Sequence, residues 1–423
     1  MDNRQSQGST DPDPSGSAGP CRVSVVIKVL NEEQRIGDTL ECALRAVKAV
    51  GGEVVLADSC STDRTLEIAG AHPIRIVQLA NPEERSCGIG AQLGYQHARG
   101  EFIYILDGDM HLRESFLPQA LSFLHGHPHM AGVGGRVVEQ NLNSLEFRQR
   151  GERQREEAPG PVDRLDCGGL YRRSAIASAG YFADRNLHSY EEFDLAARLR
   201  GQGWELWRMP IEAVSHFGHD TPPYDLLMRR WRSGYICGLG ELVRAAFHQP
   251  QFKVVLREVR ELRIYAAMLG LLALVLVLLL WPASPWPRLG WASALLIAPV
   301  AVMAWRKKSL ERGLYAVVSW GFNALGLVRG MLRKQRPPTQ PVQGHVLQEG
   351  DIFPAPPEPQ LPCGTPAIGR SPPEQVTPTT APTPTPITPT PSTPTPTTPL
   401  PTPASAVNAA LRTAPHRKSA HAR

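Results

Sequence analysis

The sequence predicts an α/β fold with a Rossmann-like, mostly parallel sheet, followed by C-terminal transmembrane helices. Short β-branched or apolar runs alternate with segments whose apolar residues recur at helical spacing, and such alternation builds parallel sheets. Polar and acidic residues stand directly after those runs, at Asn31-Glu32, Asp58 and Asp107-Gly108-Asp109. The ends of the strands are where an open α/β sheet binds its ligand. Further on, residues 264–281 and 289–305 are uncharged and almost wholly apolar. Each is near the length of about 20 residues that a spanning helix needs.

The elements follow in order. Residues 23–30 read as a β-branched strand, and Asn31 after them offers a helix cap. Ile36, Leu40, Leu44 and Val47 then mark one face of a helix. Residues 53–57 form a second strand that ends at Asp58, and Ser61-Thr62-Asp63 cap a helix carrying Leu66, Ile68 and Ala69. A third strand at 74–79 and a helix at 88–98 lead to the run Phe102-Ile103-Tyr104-Ile105-Leu106, a buried fourth strand. It delivers Asp107 and Asp109 to the sheet edge. Hard divalent cations take carboxylate oxygens, and a bound cation can bridge a diphosphate. Asp11-Pro12-Asp13 has the same spacing but no strand before it, so it carries no such chemistry.

Composition divides the 423 residues unevenly. Residues 1–21 are polar and read as a disordered N-terminus, and 337–423 read as a Pro/Thr-rich disordered tail. Between them we expect a nucleotide-binding α/β domain at 22–227 and a basic amphipathic interfacial segment at 228–263. A transmembrane hairpin at 264–305 follows, then a basic loop with an interfacial or third membrane helix at 306–336. The formal charge of +5 is modest, but Arg and Lys cluster on both sides of the apolar block. Beside apolar segments such clusters mark a cytoplasmic membrane face rather than nucleic acid. Trp281, Trp286 and Trp305 sit at segment ends as interface anchors. The seven cysteines have no metal-ligand spacing and read as free thiols, and the N-terminus has no signal-peptide pattern.

Three motifs together carry a resemblance. Ser24-Val25-Val26-Ile27 with Asn31-Glu32-Glu33, then Asp58-Ser59-Cys60-Ser61-Thr62-Asp63-Arg64-Thr65, then Asp107-Gly108-Asp109, resemble the family 2 glycosyltransferases of GT-A fold, over roughly residues 22–217. The resemblance implies a nucleotide-sugar donor held by Asn31, Glu32, Asp58 and Asp107. It also implies Mg²⁺ or Mn²⁺ on Asp107 and Asp109. Lys28, Ser59 and Gln92 depart from the family's usual Pro, Asp and Asn.

The acceptor half extends the resemblance. Gly168 and Gly169, in Cys167-Gly168-Gly169-Leu170, match a Gly-Gly segment that lines the acceptor side, where glycine lets backbone approach a sugar. Tyr190-Glu191-Glu192-Phe193-Asp194-Leu195 resembles the family's Glu-Asp-x-Asp-Leu helix start. Glu192 falls on the catalytic-base position, with Glu191 and Asp194 as its acidic neighbours. His216 falls where a histidine completes the metal site of some GT-A enzymes. Leu227-Met228-Arg229-Arg230-Trp231 partly resembles a Gln-x-x-Arg-Trp motif, which sets Arg230 and Trp231 on the acceptor side.

These features imply a multi-pass cell-membrane enzyme with a cytoplasmic catalytic domain. It would invert the anomeric centre as it moves a sugar to a saccharide or lipid-linked acceptor in cell-envelope or polysaccharide synthesis. A polyprenyl-phosphate glycosyltransferase is the nearest alternative. A catalytically idle membrane scaffold is the reading from another class. No nucleic-acid partner is expected. A nucleotidyltransferase is disfavoured, because residues 23–37 lack an early Gly-rich phosphate loop.

Overall fold

The computed structural model describes residues 21–141, 158–218, 220–282 and 284–356, all within the compact unit Met1–Pro359. Its centre is four parallel strands: β1 (Val23–Val29), β2 (Gly52–Asp58), β3 (Arg75–Leu79) and β4 (Phe102–Asp107). The helices α1 (Ile36–Lys48), α2 (Thr65–Gly70) and α3 (Cys87–His97) connect them. The order in space is β3-β2-β1-β4, so the chain reverses direction across the sheet between β1 and β4. All four strands are buried over most of their length, as strands covered on both faces must be.

Beyond β4 the sheet becomes mixed. β5 (Met110–Leu112), α4 (Phe116–Gly126), β6 (Met130–Glu139), β7 (Gly160–Pro161) and β8 (Gly169–Arg172) come next. They are followed by α5 (Arg173–Ser178), α6 (Glu191–Gly201) and β9 (Glu205–His216). β8 pairs antiparallel with β4 and with β6, and β9 runs parallel to β6. β5 and β7 both pair antiparallel with β9.

Period-two alternation feeds two cores. Val25 and Ile27 face α1 and α4, against Ile36, Leu40, Phe116 and Leu117. Val26 faces the other layer, where Ile89 and Leu93 of α3 meet Ile176 and Leu199 of α5 and α6. The C-terminal helices follow, α7 (Pro223–Ser233), α8 (Gly238–Ala246), α9 (Phe252–Glu258), α10 (Glu261–Leu280), α11 (Pro285–Lys307) and α12 (Leu310–Leu332), and a third cluster joins Leu187, Phe193 and Ala197 to α8, α9, α10 and α12. Leu239 and Leu242 of α8, Val255 of α9 and Leu327 of α12 belong to it, and Leu262, Tyr265 and Leu269 of α10 pack on it. Among the described residues, α10 and α11 are long and apolar enough to cross a membrane, and their surfaces are almost wholly exposed.

Three expectations change. Asn31 does not cap α1, which starts at Ile36 with Arg35 before it; Asn31 instead adopts a left-handed backbone, φ 59°, and reaches across to the next loop. The expected boundary at 227/228 falls inside α7, and α8 is buried in the third core rather than lying along an interface. The tail expected from residue 337 does not begin there. Residues 337–356 return to the sheet as a strap, and β10 (Gly344–Gln348) extends the edge antiparallel to β3. The run Thr377–Pro403 lies outside the described residues.

Candidate active site

β2 and β4 end on acidic residues at one edge, and the loops after β1 and β2 are laced together there. Asn31 donates its backbone N–H to Ser61 Oγ at 2.9 Å, and its Oδ1 accepts from the Thr62 N–H at 2.7 Å. Glu32 N–H donates to Thr65 Oγ1 at 2.8 Å, and Glu33 N–H to Asp63 Oδ2 at 3.1 Å. Asp58 is fully buried at the floor. It accepts from the Ser61 N–H and, at 2.9 Å, from Gln78 Nε2. These bonds tie the loop after β1 to the loop after β2 above Asp58.

Carboxylates crowd the next strand end. Glu32 lies over Gly108, where a Cβ would come within 2.8 Å of Glu32 Cγ. Burial, then the charges of Asp109 and Asp107, push the Glu32 carboxyl up to about 7. Asp109 Oδ2 stands 3.4 Å from His216 Nε2, and the other ring nitrogen of His216 bonds Glu139 Oε2 at 2.6 Å. Burial opposes protonation of this imidazole, but its bonds to Asp109 and Glu139 outweigh burial and raise it to about 9. A carboxylate behind a histidine fixes the ring and strengthens it as a metal ligand. Asp109 and His216 therefore offer donors of the kind a divalent cation takes. Among the described residues, no three His, Cys, Asp or Glu side chains close on one point. Asp107 turns elsewhere, to Lys28 Nζ at 3.2 Å.

Facing this edge is the start of α6. Tyr190 has a left-handed backbone, φ 70°, and turns the chain so that Glu191 and Glu192 open the helix. The Glu191 side chain is only 7% exposed and accepts from Lys28 Nζ at 2.8 Å. The Glu192 side chain is 26% exposed, and its Oε1 lies 3.9 Å from the same ammonium. Burial and then the charge of Glu191 raise the Glu192 carboxyl well above the usual range, and Lys28 partly offsets them. Asp194 does not join the pair. Its carboxylate is buried on Arg198 at 2.9 Å, and Arg198 also donates to the carbonyls of Ala179, Tyr181 and Phe182. This network anchors α6 and engages the Asp194 carboxylate within the fold.

The acceptor flank divides. Gly168, at φ 101°, donates its N–H to Ile105 O, which brings Gly168-Gly169 beside the end of β4. The Arg230 guanidinium sits 5.3 Å over the Tyr235 ring, and Tyr235 lies close enough to Glu191 and Glu192 to feel both charges. Trp231 is engaged by α12. Its ring meets Phe322 of α12 edge-on and carries Arg329 at 5.4 Å, so its work is helix packing. Sequence reading missed Glu139, Tyr235 and the role of Lys28. A signal existed only for Lys28, as a charged residue inside an otherwise β-branched strand.

A parallel sheet edge lined with carboxylates, facing a helix that opens on two more, is the architecture of a GT-A fold. Comparisons agree. TarS of Staphylococcus aureus, a poly(ribitol-phosphate) β-N-acetylglucosaminyltransferase, is 30% identical over 131 residues, 29% of this chain and 23% of TarS. The match thus spans about a quarter of that relative's length. EpsE of Bacillus subtilis is 28% identical over 219 residues, 49% of this chain and 76% of EpsE. The fold is shared with the mannosyltransferase PcManGT of Pyrobaculum calidifontis, solved with GDP-Man and Mn²⁺, at TM-score 0.50 and 18% identity, covering 75% of this chain and 90% of that one. Residues 24–179 match the model of Glycosyl transferase family 2.

Proposed function

We propose that this chain is a membrane-anchored inverting glycosyltransferase acting at the cytoplasmic surface. It moves a sugar from a nucleotide-sugar donor to a hydroxyl of a saccharide or lipid-linked acceptor. The observation that carries this reading is the meeting of Glu192 with the donor edge: Glu192 and Asp107 flank one ammonium, at 3.9 and 3.2 Å. Asn31, Glu32 and Asp58 hold the nucleoside, and Glu192 takes the proton from the acceptor hydroxyl. That oxygen bonds the anomeric carbon as the bond to the diphosphate breaks, and the electron pair leaves with the diphosphate. Attack opposite the leaving group inverts the centre. A divalent cation on Asp109 and His216, with Asp107 nearby, would neutralise the departing diphosphate.

The third core supports an acceptor delivered from the membrane, because Phe193 and Ala197 of α6 share it with the foot of α10. The same closeness supports the second reading, a polyprenyl-phosphate acceptor. A phosphate is already an anion and needs no base.

Single-turnover rates for Glu192→Gln and Glu191→Gln test the reading. For a hydroxyl acceptor, Glu192→Gln should lose about 10²–10⁴-fold in rate. A rate within a few-fold of wild type would rule out Glu192 as base and favour the phosphate acceptor. A larger loss in Glu191→Gln would move the base by one residue. The pH profile adds a sign. A base must be ionised, and the Glu192 carboxyl is raised, so the rate should fall away as pH drops through near-neutral values, not only below pH 5 as for an ordinary Glu, roughly 4.3.

A further inference from the structure

Lys28 is a charged residue at the centre of the site that the resemblance does not explain. In the register of β1 and β4 it stands opposite Asp107, so both side chains leave the same face of the sheet. Gly90 of α3 leaves room for its stem, since a Cβ there would lie 3.3 Å from Lys28 Cβ. The ammonium ends between Asp107 of the donor edge at 3.2 Å and Glu191 of the acceptor helix at 2.8 Å, with the Lys28 side chain 14% exposed. Burial opposes the charge, but Asp107, Glu191 and Glu192 outweigh it and keep the amine protonated.

We propose that Lys28 is a positioning residue for sugar transfer: its ammonium ties the first turn of α6 to the donor edge and, by engaging Glu191, leaves Glu192 as the carboxylate that meets the acceptor. This rests on the reading of Glu192 as the base. Glu191 and Glu192 are neighbours that could each accept a proton, and distance separates their roles. At 2.8 Å Glu191 accepts a hydrogen bond from the ammonium, whereas at 3.9 Å Glu192 is beyond hydrogen-bond range of it. An ammonium is a compact point charge, and here it donates to Glu191 while Asp107 faces it as an ion-pair partner at 3.2 Å. Without it, Asp107, Glu191 and Glu192 repel, and the helix start withdraws from the strand end. Small displacements of a catalytic group are costly, about 10²-fold for 1 Å.

The test uses the full chain in membranes, with the donor that the wild type turns over, and measures kcat and donor KM. The variants are Lys28→Met, Lys28→Arg, Glu191→Gln and the double variant Lys28→Met/Glu191→Gln. Lys28→Met should lower kcat by about 10–100-fold while donor KM stays within a few-fold, as expected for a misplaced base. Lys28→Arg should recover part of the loss. The double variant should be no worse than Lys28→Met alone, because it removes a buried cation and its anion together. A change confined to donor KM would make Lys28 a donor-binding cation and overturn the proposal. Multiplied losses in the double variant would also overturn it. Should Lys28→Met fail to fold, the double variant, whose charges balance, and Lys28→Arg carry the same comparisons. A near-normal Lys28→Met with an inactive Glu192→Gln would sink the Lys28 role alone, whereas an active Glu192→Gln would sink the base reading itself.

Discussion

Glu139 shows what a single residue can do without touching a ligand. It ends β6 in register with His216 on β9, and its side chain is fully buried. A buried carboxylate with no partner would be costly, and the imidazole compensates it. In return the ring is held with Nε2 toward Asp109. Glu139→Gln should therefore weaken divalent-metal affinity by about 10–100-fold. Mn²⁺ titration of donor binding would measure it, and an unchanged affinity would dissociate His216 from the metal. Glu212→Gln, on an exposed residue paired with Arg113 at 3.6 Å, should change nothing and serves as control. Asp109 and His216 were legible in the sequence because motif position names them. Glu139 was not, because only the parallel pairing of β6 with β9 brings it to His216, and no local spacing encodes that register. Trp231 shows the converse: its motif is legible, but its packing on Phe322 of α12 is not.

At the scale of elements, glycines let the C-terminal segments dock. A Cβ at Gly240 or Gly330 would collide with the backbone of the facing helix, at Leu327 O and Cys237 O, so α8 and α12 pack backbone to backbone. Small residues in α12 were visible in the sequence, but their partners were not. The strap works in the same way. Arg75 pairs with Glu349, Gln96 exchanges bonds with Val342, Arg185 donates to the carbonyls of Gln340 and Pro341, and Phe353 bonds the backbone of Gly52. Gly350 passes so close to Ile74 and Arg75 that a Cβ would strike their backbone. Gly350→Ala should push the strap off the β3 edge, at about 1–3 kcal/mol. The readouts are a lower Tm and faster limited proteolysis after Arg336. An unchanged digestion pattern would mean that the strap contributes little. The strap escaped sequence reading because its strand is short, polar and bounded by prolines, so composition alone assigned it to the tail.

On the scale of the whole chain, the question is how the catalytic unit meets the membrane. The foot of α10 packs on the third core through Leu262 and Tyr265, beside α6. At the far end of the pair, α10 and α11 meet at a turn flanked by Trp281 and Trp286, which are 61% and 80% exposed. The chain then comes back: α11 ends on Arg306 and Lys307, and α12 starts against it, with Gly313 in contact with Ala304. α12 continues onto the catalytic helices, where Tyr315 Oη donates to Pro223 O and Arg329 covers Trp231. Both roots of the hairpin therefore lie beside the catalytic unit, together with the Arg and Lys clusters, which supports the proposed cytoplasmic placement of that unit. α12 is held by the catalytic unit and would have to abandon these contacts to cross. Reporters fused before Cys21 and after Pro356 should both read as cytoplasmic, and a cysteine introduced at Ser284 should react with an impermeant reagent from outside. A reporter after Pro356 that reads as external would make α12 a third span and detach it from α7 and α8. The hairpin's apolar length was legible from composition. The anchoring of α12 was not, because its residues suit an interface and a helix bundle equally well until Phe322, Leu327 and Gly330 find their partners.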